Sequence, residues 1–339
     1  MGLYRAMNYA WALAFVLMAP AAKADSVADF YRGKTLTIVV GSSPGGAYDA
    51  YGRLLARHIG QHIPGAPNVI VQDMPGAGSL TAARYLEVNA PTDGTAIVSF
   101  NPGLITQSIV SPETVKLKFS HLYWLGGITH EFRVCYAWHT TGVKTWKDLV
   151  AADHFVVGAA GIGTGAYLDG AVLRNLFGIK LKQIGGYPGS TEERLAIERG
   201  ELDGACSEWN ALPTDWIGSG KIHPFVRWLK ETPAGFPSGV PYVVDLATSA
   251  DDKTILSALA EPSEVGNPFA ASRKVPRDRL ETLRAAFAAT MNDPDFLADA
   301  AHQQMPVEVT SGADAQKLVA AIYAAATPDM VEKTKNAMK

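Results

Sequence analysis

The sequence has 339 residues, 47% of them hydrophobic and 19% charged, with a formal net charge of −3. Such a chain can bury a sizeable core, and its scattered basic residues leave no nucleic-acid or anionic-lipid footprint. Two cysteines are too few for a disulfide framework or a cysteine-based zinc site.

The chain opens with Arg5, an apolar stretch over 10–18 and then Ala22-Lys23-Ala24. A short positive region, a short apolar core and a small-x-small end describe an export signal, with cleavage expected near Ala24. The apolar part is well short of the roughly 20 residues a membrane-spanning helix requires. Without Arg5 and Lys23, 28 basic residues stand against 33 acidic ones, a net of −5 over the remaining 315 residues. That length suits two domains of about 150 residues each.

Next comes an alternation of strand and helix signals, the pattern of a mostly parallel sheet flanked by helices. A β-branched strand over 36–40 leads into Ser43-Pro44-Gly45-Gly46-Ala47-Tyr48-Asp49, and Tyr51, Leu54, Leu55, His58 and Ile59 then recur at helical spacing. A second strand, 69–72, ends in Pro75-Gly76-Ala77-Gly78-Ser79. A third, 96–100, ends at Asn101.

Another round begins near Thr129, with strands over 132–138, 155–159, 180–184 and 204–207. The second of these runs into Gly161-Ile162-Gly163-Thr164-Gly165 and a helix ending at Gly178. Ser190 and Glu193 suggest a capping box. The Pro- and Gly-rich stretch 232–241 reads as a connector. The last hundred residues read as mostly helical, with starts at Pro276 and Asp293-Pro294 and a final helix carrying Leu318, Val319, Ile322 and Tyr323.

Both glycine loops follow a strand and precede a helix, where unpaired backbone N–H groups and a partial positive charge can receive an anion without a cationic side chain. Neither has the G-x-G-x-x-G spacing, and no P-loop occurs. Each also reads as a tight turn, with Asp49 then merely a first-turn acid. Tyr48, Tyr187, Trp209 and Asn210 are pocket-wall candidates that also read as packing anchors.

Catalysis has little support. Cys206 has no histidine nearby in sequence, no G-x-S-x-G elbow occurs, and the eight histidines never take a metal-ligand spacing. In an oxidising compartment Cys135 and Cys206 could pair if the fold brings their strands together. The sequence gives no Cα separation, and the reading favours two separate buried thiols.

Taken in order, Tyr31-Arg32-Gly33-Lys34, Ser43-Pro44-Gly45-Gly46 with Asp49 and Arg53-Leu54-Leu55, Pro75-Gly76-Ala77-Gly78, Pro91-Thr92-Asp93-Gly94, the 161–164 loop, Tyr187-Pro188-Gly189 and Arg199-Gly200-Glu201-Leu202-Asp203 resemble the substrate-binding receptors of tripartite tricarboxylate transporters, the Bug-type receptors. The resemblance covers nearly all of the chain after the export signal. It implies a periplasmic α/β protein of the two-lobed type II binding-protein architecture, closing on a small aliphatic or aromatic carboxylate. It also implies membrane transporter subunits as partners, a monomer, no cofactor, no metal and no catalysis. By position, Ser43, Gly45, Gly46, Ala47, Tyr48 and Asp49 would form one cradle and Gly163, Thr164 and Gly165 the other. Ser79 and Asn101 would lie at neighbouring strand ends, and Tyr187, Trp209 and Asn210 would line the second wall.

The chain departs from that pattern at Ser43, where the family commonly has a second proline, and at Pro188, where it often has lysine. A third departure spans 242–252. All three sit at or near the walls that distinguish ligands. The expected lobes are 25–128 with 238–339, and 129–237. Alternatives are a secreted α/β enzyme with Cys206 as nucleophile, or a binding protein serving another uptake system or a sensor.

Overall fold

Ile38, Val39 and Val40 are all fully buried, so their strand is covered on both faces and its side chains feed two separate cores. Ile38 and Val40 join Leu54, Leu55 and Ile59 of the following helix, while Val39 joins Val98, Phe100 and Trp124. Burying each such aliphatic side chain contributes about 1.5–3 kcal/mol. The structure is a computed structural model that describes residues 22–159, 161 and 164–339. Most of the expected export segment therefore lies outside the described residues. No helix among the described residues is long and apolar enough to cross a membrane.

The chain builds two sheets. The first takes β1 (Thr35–Val40), β2 (Asn68–Asp73), β3 (Ala96–Ser99) and β4 (Tyr123–Thr129). After a short crossing, β5 (Arg133–Trp138), β6 (Phe155–Ala159), β7 (Leu181–Gly185), β8 (Gly204–Glu208) and β9 (Ile222–Arg227) form the second. The chain then returns to the first sheet with β10 (Gly266–Ala271) and β11 (Thr310–Ser311). The orders are β11-β4-β10-β3-β1-β2 and β7-β6-β8-β5-β9.

The strands read as βα units pair in parallel, namely β1 with β2 and β3, and β6 with β7 and β8. Both sheets are mixed, because each contains a strand that pairs antiparallel on both sides: β10 with β3 and β4 in the first, β5 with β8 and β9 in the second. Like the first sheet, the second separates two cores, with Cys135 and Ala137 of β5 facing one and Val134 and Tyr136 the other.

Two strands unmarked in the sequence appear, and two local expectations are corrected. The segment 123–129 is a strand despite Gly126 and Gly127. A Cβ on Gly126 would sit 2.5 Å from the Phe287 ring and 2.6 Å from Thr310 O, so glycine is what lets a helix and β11 approach β4 there. The stretch 266–271, within the mostly helical last hundred residues, is likewise a strand, although Pro268 interrupts its donors and the pairing shifts register between Phe269 and Ala270. No capping box forms at 190–193, because Gly189 is the N-cap of the helix Ser190–Glu198 and Ser190 is already helical. The helix Gly312–Ala325 is followed by one more, Pro328–Ala337, capped by Thr327.

The chain after the connector does not pack only on the first sheet. Val243, Val244, Ile255, Leu256 and Leu259, with Ala337 and Met338 of the C-terminus, share a core with Leu168, Val172 and Phe225 of the second.

Candidate functional site

Each parallel strand delivers a loop to one edge of its sheet, and the crossing between β4 and β5 sets the two edges against each other. Between them lies a cleft of about 550 Å³. Ser43, Gly46, Ala47, Tyr48, Ser79, Asn101, Thr164, Gly165 and Tyr187 line it. Gly45 and Asn210 line an adjoining hollow of about 150 Å³. Asp49 sits behind the first loop, where it accepts the Gly45 N–H at 2.7 Å and pairs with Arg53 at 2.7 Å. Trp209 is 6% exposed and packs edge-on against Phe236 in the core behind the wall. Gly163 lies outside the described residues.

The first cradle arises because Gly45 takes φ +81 and Gly46 caps the helix Ala47–His62 from an extended conformation with no side-chain cap. The first amides of that helix have no intrahelical acceptor, so they are available to a ligand. In the second cradle Thr164 is the N-cap of the helix Gly165–Phe177, its hydroxyl accepting the Tyr167 N–H at 3.2 Å. Both loops line the same cleft, and each approaches a further loop across it. The Ser43 hydroxyl donates to Pro188 O at 3.3 Å, and a Cβ on Gly161 would lie 4.0 Å from Gly78 N.

A third loop is strained. Ala77 and Ser79 hold φ values of 46 and 77 between glycines at 137 and 62, and each non-glycine in that region costs about 1–3 kcal/mol. Ser79 is fixed there by donating to Gly41 O at 2.8 Å, and a Cβ on Gly41 would collide with Ser79 Cβ at 2.5 Å. Asn101 spends its carbonyl on the Gly103 N–H at 2.7 Å, which leaves its amide N–H groups for the cleft.

The floor of the cleft carries groups the sequence did not announce: Glu131, Arg133 and Glu208, with Glu193 on the wall. Arg133 is held by Asp169 through two bonds of 3.0 and 3.1 Å, donates to Ser263, and lies over the Trp228 ring at 5.5 Å. Burial alone would lower its pKa, but Asp169 and Glu131 more than offset that, and it is raised. Gly165 makes room for this arginine, since a Cβ there would sit 2.8 Å from Arg133 Cδ.

The Tyr48 hydroxyl donates to Glu131, and burial together with that carboxylate keeps the tyrosine far above its usual pKa. Burial pushes Glu208 up to about 8, with the Glu131 charge adding to it, and burial pushes Glu193 up to about 7. No pattern in the sequence marks these acids. Glu131 lies in the crossing, Glu208 ends a strand, and Glu193 reads as a helix-start residue.

Beneath the cleft, Cys135 and Cys206 are direct partners on β5 and β8 with Cα atoms 3.9 Å apart, and they form a disulfide. The expectation of separate thiols is thus overturned. Sequence distance concealed that antiparallel pairing puts the two residues opposite each other. With both sulfurs bonded, Cys206 has no thiolate to act as a nucleophile.

No family model matches the chain. A curated Agrobacterium vitis protein, the UPF0065 protein in the TAR-I ttuE-ttuC' intergenic region, is 25% identical over 272 residues, covering 78% of this chain and 74% of its own. Among solved structures, periplasmic binding protein BugD superposes with a TM-score of 0.72 at 19% identity, over 91% of this chain and 98% of its own. R. palustris Rpa4515 with adipate gives 0.68 at 18% identity, over 89% and 97%. These likenesses bear out the two-lobed periplasmic binding-protein fold and the Bug-type resemblance.

Proposed function

We propose that this chain is an exported, periplasmic solute-binding receptor that captures a small organic carboxylate between its lobes and presents it to a transporter of the tripartite tricarboxylate type. One observation carries the reading: two backbone cradles, each opening a helix, line a single cleft. An anion held by amides from both lobes binds the closed state better than the open one, and that difference is what drives closure. The solved likeness of this fold to a protein bound to adipate supports the carboxylate. The expected lobes, 25–128 with 238–339 and 129–237, are kept in this proposal with one adjustment: the 243–259 and 337–338 side chains, which share the second sheet's core, are assigned to the second lobe. The cradle residues are Ser43, Gly45, Gly46, Ala47, Tyr48, Thr164 and Gly165, with Ser79, Asn101 and Tyr187 on the walls. The binding proteins it resembles, and the bonded state of Cys206, support capture over catalysis.

Thermal unfolding against a panel of aliphatic and aromatic acids tests this. At a hundredfold excess over Kd, a ligand contributes about 2.7 kcal/mol, which for a chain of this size raises Tm by about 4 °C. A flat response across the panel would refute the reading.

A further inference from the structure

We infer that the captured acid also carries a cationic nitrogen, and that Glu208, with Glu131, receives it at the floor of the cleft. This rests on the proposed capture of a carboxylate and narrows it to an amino-acid-like zwitterion. Glu208 is 9% exposed, borders both the cleft and the hollow, and its Oε1 has no hydrogen-bond partner among the described residues. A buried carboxylate oxygen without a donor is costly, and native structures rarely keep one except where something else completes it.

The surrounding charges decide what can complete it. Arg133 supplies a single positive charge, and its bidentate contact commits that charge to Asp169. Glu131 receives the Tyr48 hydroxyl and only a long 3.5 Å contact from Arg133. Arg194 borders the hollow and donates to Ala211 O, Ser190 and Thr191, and the nearby Glu193 is the acid that its charge faces. Once ionised, Glu208 is therefore a negative charge with no counter-charge of its own. A second carboxylate on the ligand would meet Glu131 and Glu208 as like charges, whereas an ammonium or guanidinium would supply the missing donor as a charge-assisted hydrogen bond. The raised pKa of Glu208 fits an empty site that keeps a proton until a cation replaces it.

Calorimetric titration of the mature chain with monocarboxylates, dicarboxylates and amino-carboxylates of matched carbon length tests the assignment. At least one amino-carboxylate is expected to bind about tenfold more tightly than its matched monocarboxylate and dicarboxylate, the effect of one added charge-assisted hydrogen bond. Glu208→Gln is expected to shrink that ratio towards one. A dicarboxylate that binds as tightly as its amino counterpart, or a ratio unchanged in Glu208→Gln, would overturn the cation subsite. Monocarboxylate binding with no gain from the amine sinks the subsite and leaves the receptor standing. Absence of binding by every carboxylate sinks both.

Discussion

Opening the Cys135–Cys206 bond is expected to destabilise the protein without opening a catalytic route. The bond spans 71 residues of sequence. Cross-linking a loop of that length removes about 15 cal/mol/K of unfolded-chain entropy, or about 4.4 kcal/mol at 25 °C, in the chain-entropy treatment. With about 2.1 cal/mol/K of unfolding entropy per residue over the mature chain, that lowers Tm by about 6–7 °C. Thermal unfolding with and without reductant, followed by circular dichroism, measures the difference. Thiol titration of denatured, unreduced protein checks the premise and should find no free thiol. A Tm that moves by less than about 1 °C, or two reactive thiols in the denatured protein, would refute the reasoning and restore Cys206 as a free side chain beside the cleft.

Gly46→Trp should abolish the ligand-induced Tm rise while leaving the unliganded Tm within a few degrees. Gly46 has an ordinary φ of −77 and lines the cleft, and its Cβ would be no closer than 3.3 Å to any neighbour, so the indole projects into the ligand's space. Retained binding would remove this loop from the site. Glu208→Gln should stabilise the empty protein at pH 8.5 and change little at pH 4. The folded pKa of about 8 lies above the unfolded value, so the wild-type contribution is fully present below the unfolded pKa and lost as pH rises through the folded one. Urea unfolding at the two pH values would contradict this if the variant gained nothing at the higher one.

The parallel parts of the fold were legible because each βα unit advertises itself: a β-branched run, a glycine loop, then apolar residues at helical spacing. Leu36 to Ile59 carries all three signals, and the structure reproduces them. Two strands of the first sheet, β4 and β10, were hidden for a shared reason. β4 carries Gly126, demanded by Phe287 and β11, and Gly127, demanded by Val265 and Gly266, while β10 carries a proline and a register shift, so tertiary packing overrides the local pattern in both. The same distinction applies to the site. Cradle residues such as Gly46 and Thr164 follow from loop chemistry, but Glu131, Arg133 and Glu208 meet only through the crossing of the chain between sheets. Trp209 looked like a wall residue beside Asn210. It turns inward because Phe236, from the connector, offers it an edge-on aromatic partner.

The most direct test of amide-mediated capture is the crystal structure of the protein with the tightest-binding acid from the panel. The account predicts carboxylate oxygens about 2.7–3.2 Å from the first backbone amides of the helices Ala47–His62 and Gly165–Phe177. An acid held by side chains elsewhere, with those amides left to solvent, would contradict it.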